Sequence, residues 1–191
     1  MLPHQVPAAP SLPGRTCTRL PGMNLYDLTV PQLRKMLNNV DGWLAAAIKH
    51  AEAKKFDVNN LMKARLAPDQ FALDRQIQTA CDNAKFIAGR LTGKEWPAHP
   101  DTEATFDQLR ARVAAVASYL EAFKPDDFAG AGERKIVLPW MPDKWMTGDE
   151  YAAQFALPNF YFHAVTAYAI LRHNGVELGK REFLGSVPMH G

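Results

Sequence analysis

Two stretches of this 191-residue chain place chemistry-bearing side chains at helical spacing. Phe71, Arg75, Gln78, Asp82 and Lys85 recur at steps of four and three, so on a helix they form one stripe. Asn159, His163, Thr166, Ile170 and His173 repeat those steps, with Phe155, Phe160, Tyr161 and Phe162 crowding the approach to His163. A carboxylate and an imidazole meeting between two helices could share a divalent ion such as zinc or nickel, and a guanidinium beside them could hold an anionic group. On that reading Asp82 and His163 are the leading metal pair, Asn159 or Gln78 is a further contact, and Arg75 and Thr166 complete a polar pocket. The plainer accounts are a solvated face with an Arg–Asp pair on one helix and a hydrogen-bonded core histidine on the other. Without metal, the same pocket would hold a small organic ligand through a network of His163, Arg75 and Asp82.

Local metal signatures are missing. The ten-residue step from His163 to His173 separates their backbones by roughly 15 Å on a helix, too far for one ion. The chain has no His-x-x-x-His, Cys-x-x-Cys or Glu-x-x-His, no Gly-rich phosphate loop and no Gly-x-Ser-x-Gly elbow. Of the other histidines, His4 and His190 fall in tails, His99 in a loop and His50 on the outer part of a helix, and all four read as incidental.

Four long helices are expected to carry these residues. The first should start near Thr29, with Pro31 in its first turn, and run to about Lys54 on the seam Leu33, Leu37, Val40, Leu44, Ala47 and Ala51. Gly42 within it suggests close packing or a bend. Asp57 caps a short turn, and Pro68 opens a second helix reaching Leu91 on Leu73, Ile77, Ala80, Ala84, Ile87 and Leu91, with Gly93 as its stop. A third begins near Thr102 and carries Phe106, Leu109, Val113, Val116, Leu120 and Phe123. Residues 124–147 form a long connection with a small hairpin or ordered loop around Pro139–Asp143. The fourth helix runs from about Gly148 to Asn174-Gly175, with a possible bend at Pro158. An all-α four-helix bundle follows.

Residues 1–22 contain five prolines and no amphipathic period, so they read as a disordered leader, and Met23 reads as the true translation start. The domain is then 23–185, followed by a short tail, 186–191. Outside the leader the charges balance: 22 basic residues less Arg15 and Arg19 leave 20 against 20 acidic ones. A neutral domain without a basic run argues against nucleic acid as a partner. No apolar run approaches the roughly 20 residues of a membrane span. Cys17 and Cys81 lie in unrelated contexts, which argues against a disulfide and for a cytoplasmic protein with reduced thiols. Cys81, flanked by small residues, reads as a buried hydrophobe.

Several segments carry a family likeness. Arg65-Leu66-Ala67-Pro68-Asp69, Arg75-Gln76-x-Gln78, Asp82-x-x-Lys85, Pro158-Asn159-Phe160-x-Phe162-His163 and the run Thr166 to Val176 with Leu178-Gly179-Lys180 resemble an uncharacterised bacterial branch of the DinB/YfiT-like superfamily. The resemblance spans about residues 23–185. It implies an up-down-down-up four-helix bundle, often a homodimer, and relatives that hold a divalent metal through three histidines, some acting as metal-dependent thiol transferases or hydrolases. This sequence departs from that triad: Asp82 lies in the region where the second helix would offer a histidine, and the fourth helix offers Asn159-x-x-x-His163. Neutral Asn is a poor ligand for zinc or nickel, so the resemblance implies a pocket with weak or no metal. Trp140 and Trp145 in the long connection would suit a dimer interface.

Overall fold

A computed structural model describes residues 24–189. The expected leader and the choice between Met1 and Met23 lie outside the described residues. Each apolar seam read from the sequence is buried along its whole length on the first three long helices. Helix α1 (Leu25–Lys54) packs on α3 (Phe106–Glu121), α2 (Leu73–Thr92) packs on α3 and most extensively on α5 (Leu157–His173), and α1 also touches α5. Trp43, Phe106, Tyr151 and Phe160 are the largest side chains sealed inside.

Helix α1 starts a turn earlier than Pro31 suggested. Asn24 accepts from the Asp27 N–H while Asp27 reaches back to the Asn24 N–H, and Leu25 is buried at the new first turn. The reciprocal cap and that burial carry the helix through Pro31, which lies inside it. Thr29 is a buried interior residue whose hydroxyl donates to the Leu25 carbonyl. A Cβ at Gly42 would meet nothing, so close packing is not what that glycine serves. Asp57 does cap a short turn, the 3-10 segment Val58–Lys63, but residues 64–72 then stay irregular and α2 begins at Leu73 rather than at Pro68. Thr105 caps α3 by accepting from the Gln108 N–H.

The connection after α3 holds two short 3-10 turns and a two-stranded antiparallel hairpin, β1 (Lys135–Leu138) and β2 (Met141–Thr147). The chain is therefore mostly helical with a small sheet. The register pairs Lys135 with Thr147 and Val137 with Trp145, then shifts before Leu138 meets Met141. Ile136 and Leu138 point into the core, while Trp140 and Trp145 are 60% and 56% exposed.

The fourth expected helix is a composite: one turn, α4 (Gly148–Glu150), a π-helical stretch Tyr151–Ala156, then α5. Pro158 explains the middle piece. It has no N–H to offer the Gln154 carbonyl, and its ring would collide with that carbonyl in an α-helix. The wider turn relieves both problems, and the Leu157 N–H reaches five residues back to Ala152. A last short helix, α6 (Lys180–Leu184), was not apparent in the sequence. It is tied to α1 by Trp43 Nε1, which donates to the Glu182 carbonyl at 2.9 Å, and by Asn39, which donates to that of Phe183 at 2.8 Å.

Candidate functional site

Helix α2 has two polar edges, and they face different neighbours. The edge toward α5 is neutral. Gln76 and Asn83, two turns apart, meet His163 and Asn159 across an antiparallel contact: Gln76 Oε1 lies 2.7 Å from His163 Nδ1, and Asn159 donates to Asn83 Oδ1 at 3.0 Å. Gln76 is 1% exposed and His163 7%. Phe71 stacks on the His163 ring with centroids 6.4 Å apart, and Phe162 meets it edge-on at 5.1 Å. Burial, reinforced by the charge of Arg75, lowers the pKa of His163 from its ordinary value, so the neutral ring is favoured. Thr166, one turn further along α5, spends its hydroxyl on the Phe162 carbonyl.

The other edge, toward α3 and the 94–105 loop, is charged. Arg112 on α3, 3% exposed, bridges Asp82 at 2.7 Å, Asp101 at 2.9 Å and Glu103 at 3.1 Å, and also donates to the Gln78 and Pro100 carbonyls. Lys85, equally buried, bridges Asp82 and donates to His99 Nδ1 at 3.1 Å. Gln78 donates to Glu103, and Arg75 pairs with Asp101. Burial would raise the Asp101 pKa, but the hydrogen bond and charge of Arg75, with Arg112 behind it, bring it below the usual carboxylate range. For His99, burial and then the neighbouring Lys85 and Arg112 charges hold the pKa down. The loop is also wedged by Trp96, which lies where a Cβ on Gly89 would be, so the glycine gives the indole its seat on α2.

These placements revise the sequence reading of the site. Asp82 and His163 do not share a partner: Asp82 is taken by Arg112 and Lys85, and the α2 residue facing His163 is Gln76. The edge that meets α5, Gln76 and Asn83, is one residue further along than Arg75 and Asp82 of the polar stripe, a rotation of about 100° about the helix axis. His99, read as incidental, belongs to the charged network. Arg112 was missed, although its position one residue before Val113, in the middle of an apolar seam, was a legible signal. Cys81 is fully buried and its thiol is pushed up to about 12, as suits an inert core residue.

No group of three or more His, Cys, Asp or Glu side chains that could hold a metal occurs among the described residues. One imidazole beside amides, with the nearest candidate carboxylate occupied by two cations, does not fit zinc or nickel. A cleft of about 450 Å³ opens beside the N-terminal end of α2, lined among others by Arg65, Asp69, Phe71, Arg75, Gln78 and Glu103. Phe71 joins this cleft to the His163 surface. No helix among the described residues is long and apolar enough to cross a membrane.

Fold and site together define a mostly helical protein whose helices α2 and α5 meet through a buried amide–histidine contact. Residues 25–184 match the family described as Domain of unknown function (DUF1993), and the chain belongs to that family. It is also similar to a solved structure, the crystal structure at 1.83 Å of a DinB family member protein from Shewanella denitrificans. Identity is 50% and the TM-score 0.85, over 87% of this chain and 95% of that one. No curated protein matches.

Proposed function

We propose that this protein binds a small polar organic molecule on the face formed by the N-terminal end of α2 and by α5, with weak or no metal. The long helices are read as the four of a DinB/YfiT-type bundle, with the site between the second and the fourth. The observation that carries the reading is the 450 Å³ cleft, which has polar groups converging on it and one aromatic wall. Arg75 and Gln78 line it, and His163 borders it behind Phe71. Asn159 and Thr166 extend the same α5 surface, and Asp82 supports it from below by anchoring Arg112. Both signs of charge line the cleft, three basic residues (Lys63, Arg65, Arg75) and four acidic (Asp69, Asp74, Asp101, Glu103), which suits a zwitterion or a neutral polar molecule better than a polyanion.

The test is a titration of the isotopically labelled protein with a panel of amino acids and small aromatic alcohols, read by backbone NMR shifts. Saturable shifts clustered at residues 63–78, 99–103 and 159–166 support the reading; shifts that never saturate, or that map elsewhere, overturn it. Elemental analysis of protein purified without a metal-affinity tag runs alongside. Near-stoichiometric zinc or nickel would replace this reading with the metal-dependent thiol transferase or hydrolase that the family likeness implied.

The exposed Trp140 and Trp145 support a homodimer as part of the same proposal. Light scattering at micromolar concentration that returns the 21.3 kDa chain mass would count against it.

A further inference from the structure

Gln76 makes two hydrogen bonds, and together they decide the chemistry of His163. Its Nε2 donates to the Phe71 carbonyl at 3.1 Å, and a carbonyl only accepts, so the amide can have just one orientation. That orientation turns Oε1 toward His163 Nδ1 at 2.7 Å. Oε1 also only accepts, so Nδ1 must carry the ring proton and Nε2 must carry the lone pair. Nε2 has no partner among the described residues and is not one of the fully buried unpartnered nitrogens, so it keeps access to the surface. Phe71 and Phe162, which flank the ring, are themselves 50% and 55% exposed.

We propose that His163 Nε2 is a fixed, uncharged acceptor for an O–H or N–H group on a small polar molecule with a planar aromatic ring, and that Gln76 is the residue that fixes it. This names the ligand class for the small-molecule reading above and rests on it. The site is built to accept a hydrogen bond rather than to carry a proton. A carboxylate behind Nδ1 would stabilise an imidazolium, whereas a neutral amide does little for it. The charged group acting on the ring is Arg75 of α2, whose guanidinium carbon lies 5.7 Å over the Phe71 ring, and its sign opposes a second cation. Asp74 beside it is engaged by Lys63 and by the Arg75 N–H. The Phe71 and Phe162 rings supply faces for the planar ring of such a molecule.

Long-range proton–nitrogen NMR of the full chain at pH 7.5, with phenol and anisole as probes, tests this. The expected spectrum shows His163 protonated at Nδ1 and bare at Nε2; the opposite tautomer overturns the inference without any ligand and leaves the binding reading standing. Phenol should move the Nε2 resonance saturably, and anisole, which has the same shape but no donor, should bind about tenfold more weakly, the worth of one hydrogen bond. Equal binding of the two removes the acceptor role but not the site, while no saturable effect of phenol at Nε2 overturns the inference. Gln76→Leu should leave a mixture of tautomers and weaken phenol to the level of anisole. Gln76→Glu, which keeps an acceptor at Nδ1, should retain phenol binding with the loss on acidification moved to higher pH; unchanged tautomer and affinity in Gln76→Leu would show that Gln76 fixes nothing.

Discussion

The two edges of α2 solve the problem of burying polar groups in opposite ways. Toward α3 and the 94–105 loop, Arg112 and Lys85 are buried with carboxylates around them, and each side chain is spent on another. Toward α5 the polar groups are uncharged, and two atoms have no partner among the described residues: Asn83 Nδ2, which is sealed inside, and His163 Nε2, which keeps access to the surface. A charged cluster whose cations are each matched to carboxylates, with Arg112 Nε left over, holds a loop in place. A neutral contact with one free lone pair is where a ligand can add something. Position on the same helix is thus a poor guide to role; what faces the residue decides it.

The comparison is broken most directly at Arg112. Arg112→Met removes the cation from three carboxylates, and breaking a buried pair from one side costs about 3–5 kcal/mol. Denaturant unfolding measures it, and a loss under about 1 kcal/mol would mean that water already screens the cluster. A second test sets the edges against each other in double-mutant cycles. Gln76 and His163 should couple by about 0.5–3 kcal/mol, whereas Asp82 and His163, with no shared partner, should add within about 0.5 kcal/mol. Coupling of Asp82 to His163 as strong as that of Gln76 would merge the two edges into one network.

Acid should strain both edges. The folded state holds His163 and His99 as neutral rings more strongly than the unfolded chain does, because their pKa values are depressed from 6.5. Their contribution is therefore complete above that ordinary value and is lost as pH falls through it toward the folded values. Unfolding free energy should drop between pH 7 and 5, and His99→Gln and His163→Gln should each flatten the slope; a slope unchanged in both variants would show that other groups set it. The smallest effect belongs to Lys63→Ala. Lys63 pairs with Asp74, but its side chain is 77% exposed, so stability should change by no more than about 1 kcal/mol. A larger loss would mean that the exposed rim of the cleft is as structural as the Arg112 cluster.

Much of the fold was legible because a buried seam leaves a period in the chain. Leu33 to Ala51, Leu73 to Leu91 and Phe106 to Phe123 announce themselves by spacing alone. The partners across the bundle did not, since a period says which residues share a face and nothing about which neighbour that face meets. Asp82 and His163 were each correctly set beside an apolar seam, yet a difference of six residues on α2, from 82 to 76, changed the partner entirely. Caps misled for a related reason: Pro31 is a strong local signal, but the Asn24–Asp27 pair and the burial of Leu25 outweighed it. Short α6 left no period to read at all.

The wide turn ahead of Pro158 has a consequence for the evolution of the site. A π turn takes up one extra residue, which in a continuous α-helix would rotate everything beyond it by roughly 100° about the helix axis. Tyr151 and Ala152 at its start and Phe160 and His163 beyond it are all buried, so the wide turn keeps one side of the composite helix in the core. The aim of His163 at Gln76 is therefore kept by a turn that absorbs a residue some ten positions upstream. Closing that turn into a regular α-helix with every residue retained would keep each side chain of both networks and still swing the imidazole off α2, and Pro158→Ala, which restores the N–H that the Gln154 carbonyl lacks, is the substitution that permits it. A lineage that gained or lost that proline would have gained or lost the site in one step, and the tautomer of His163 in Pro158→Ala, read by the same nitrogen spectrum, would record it.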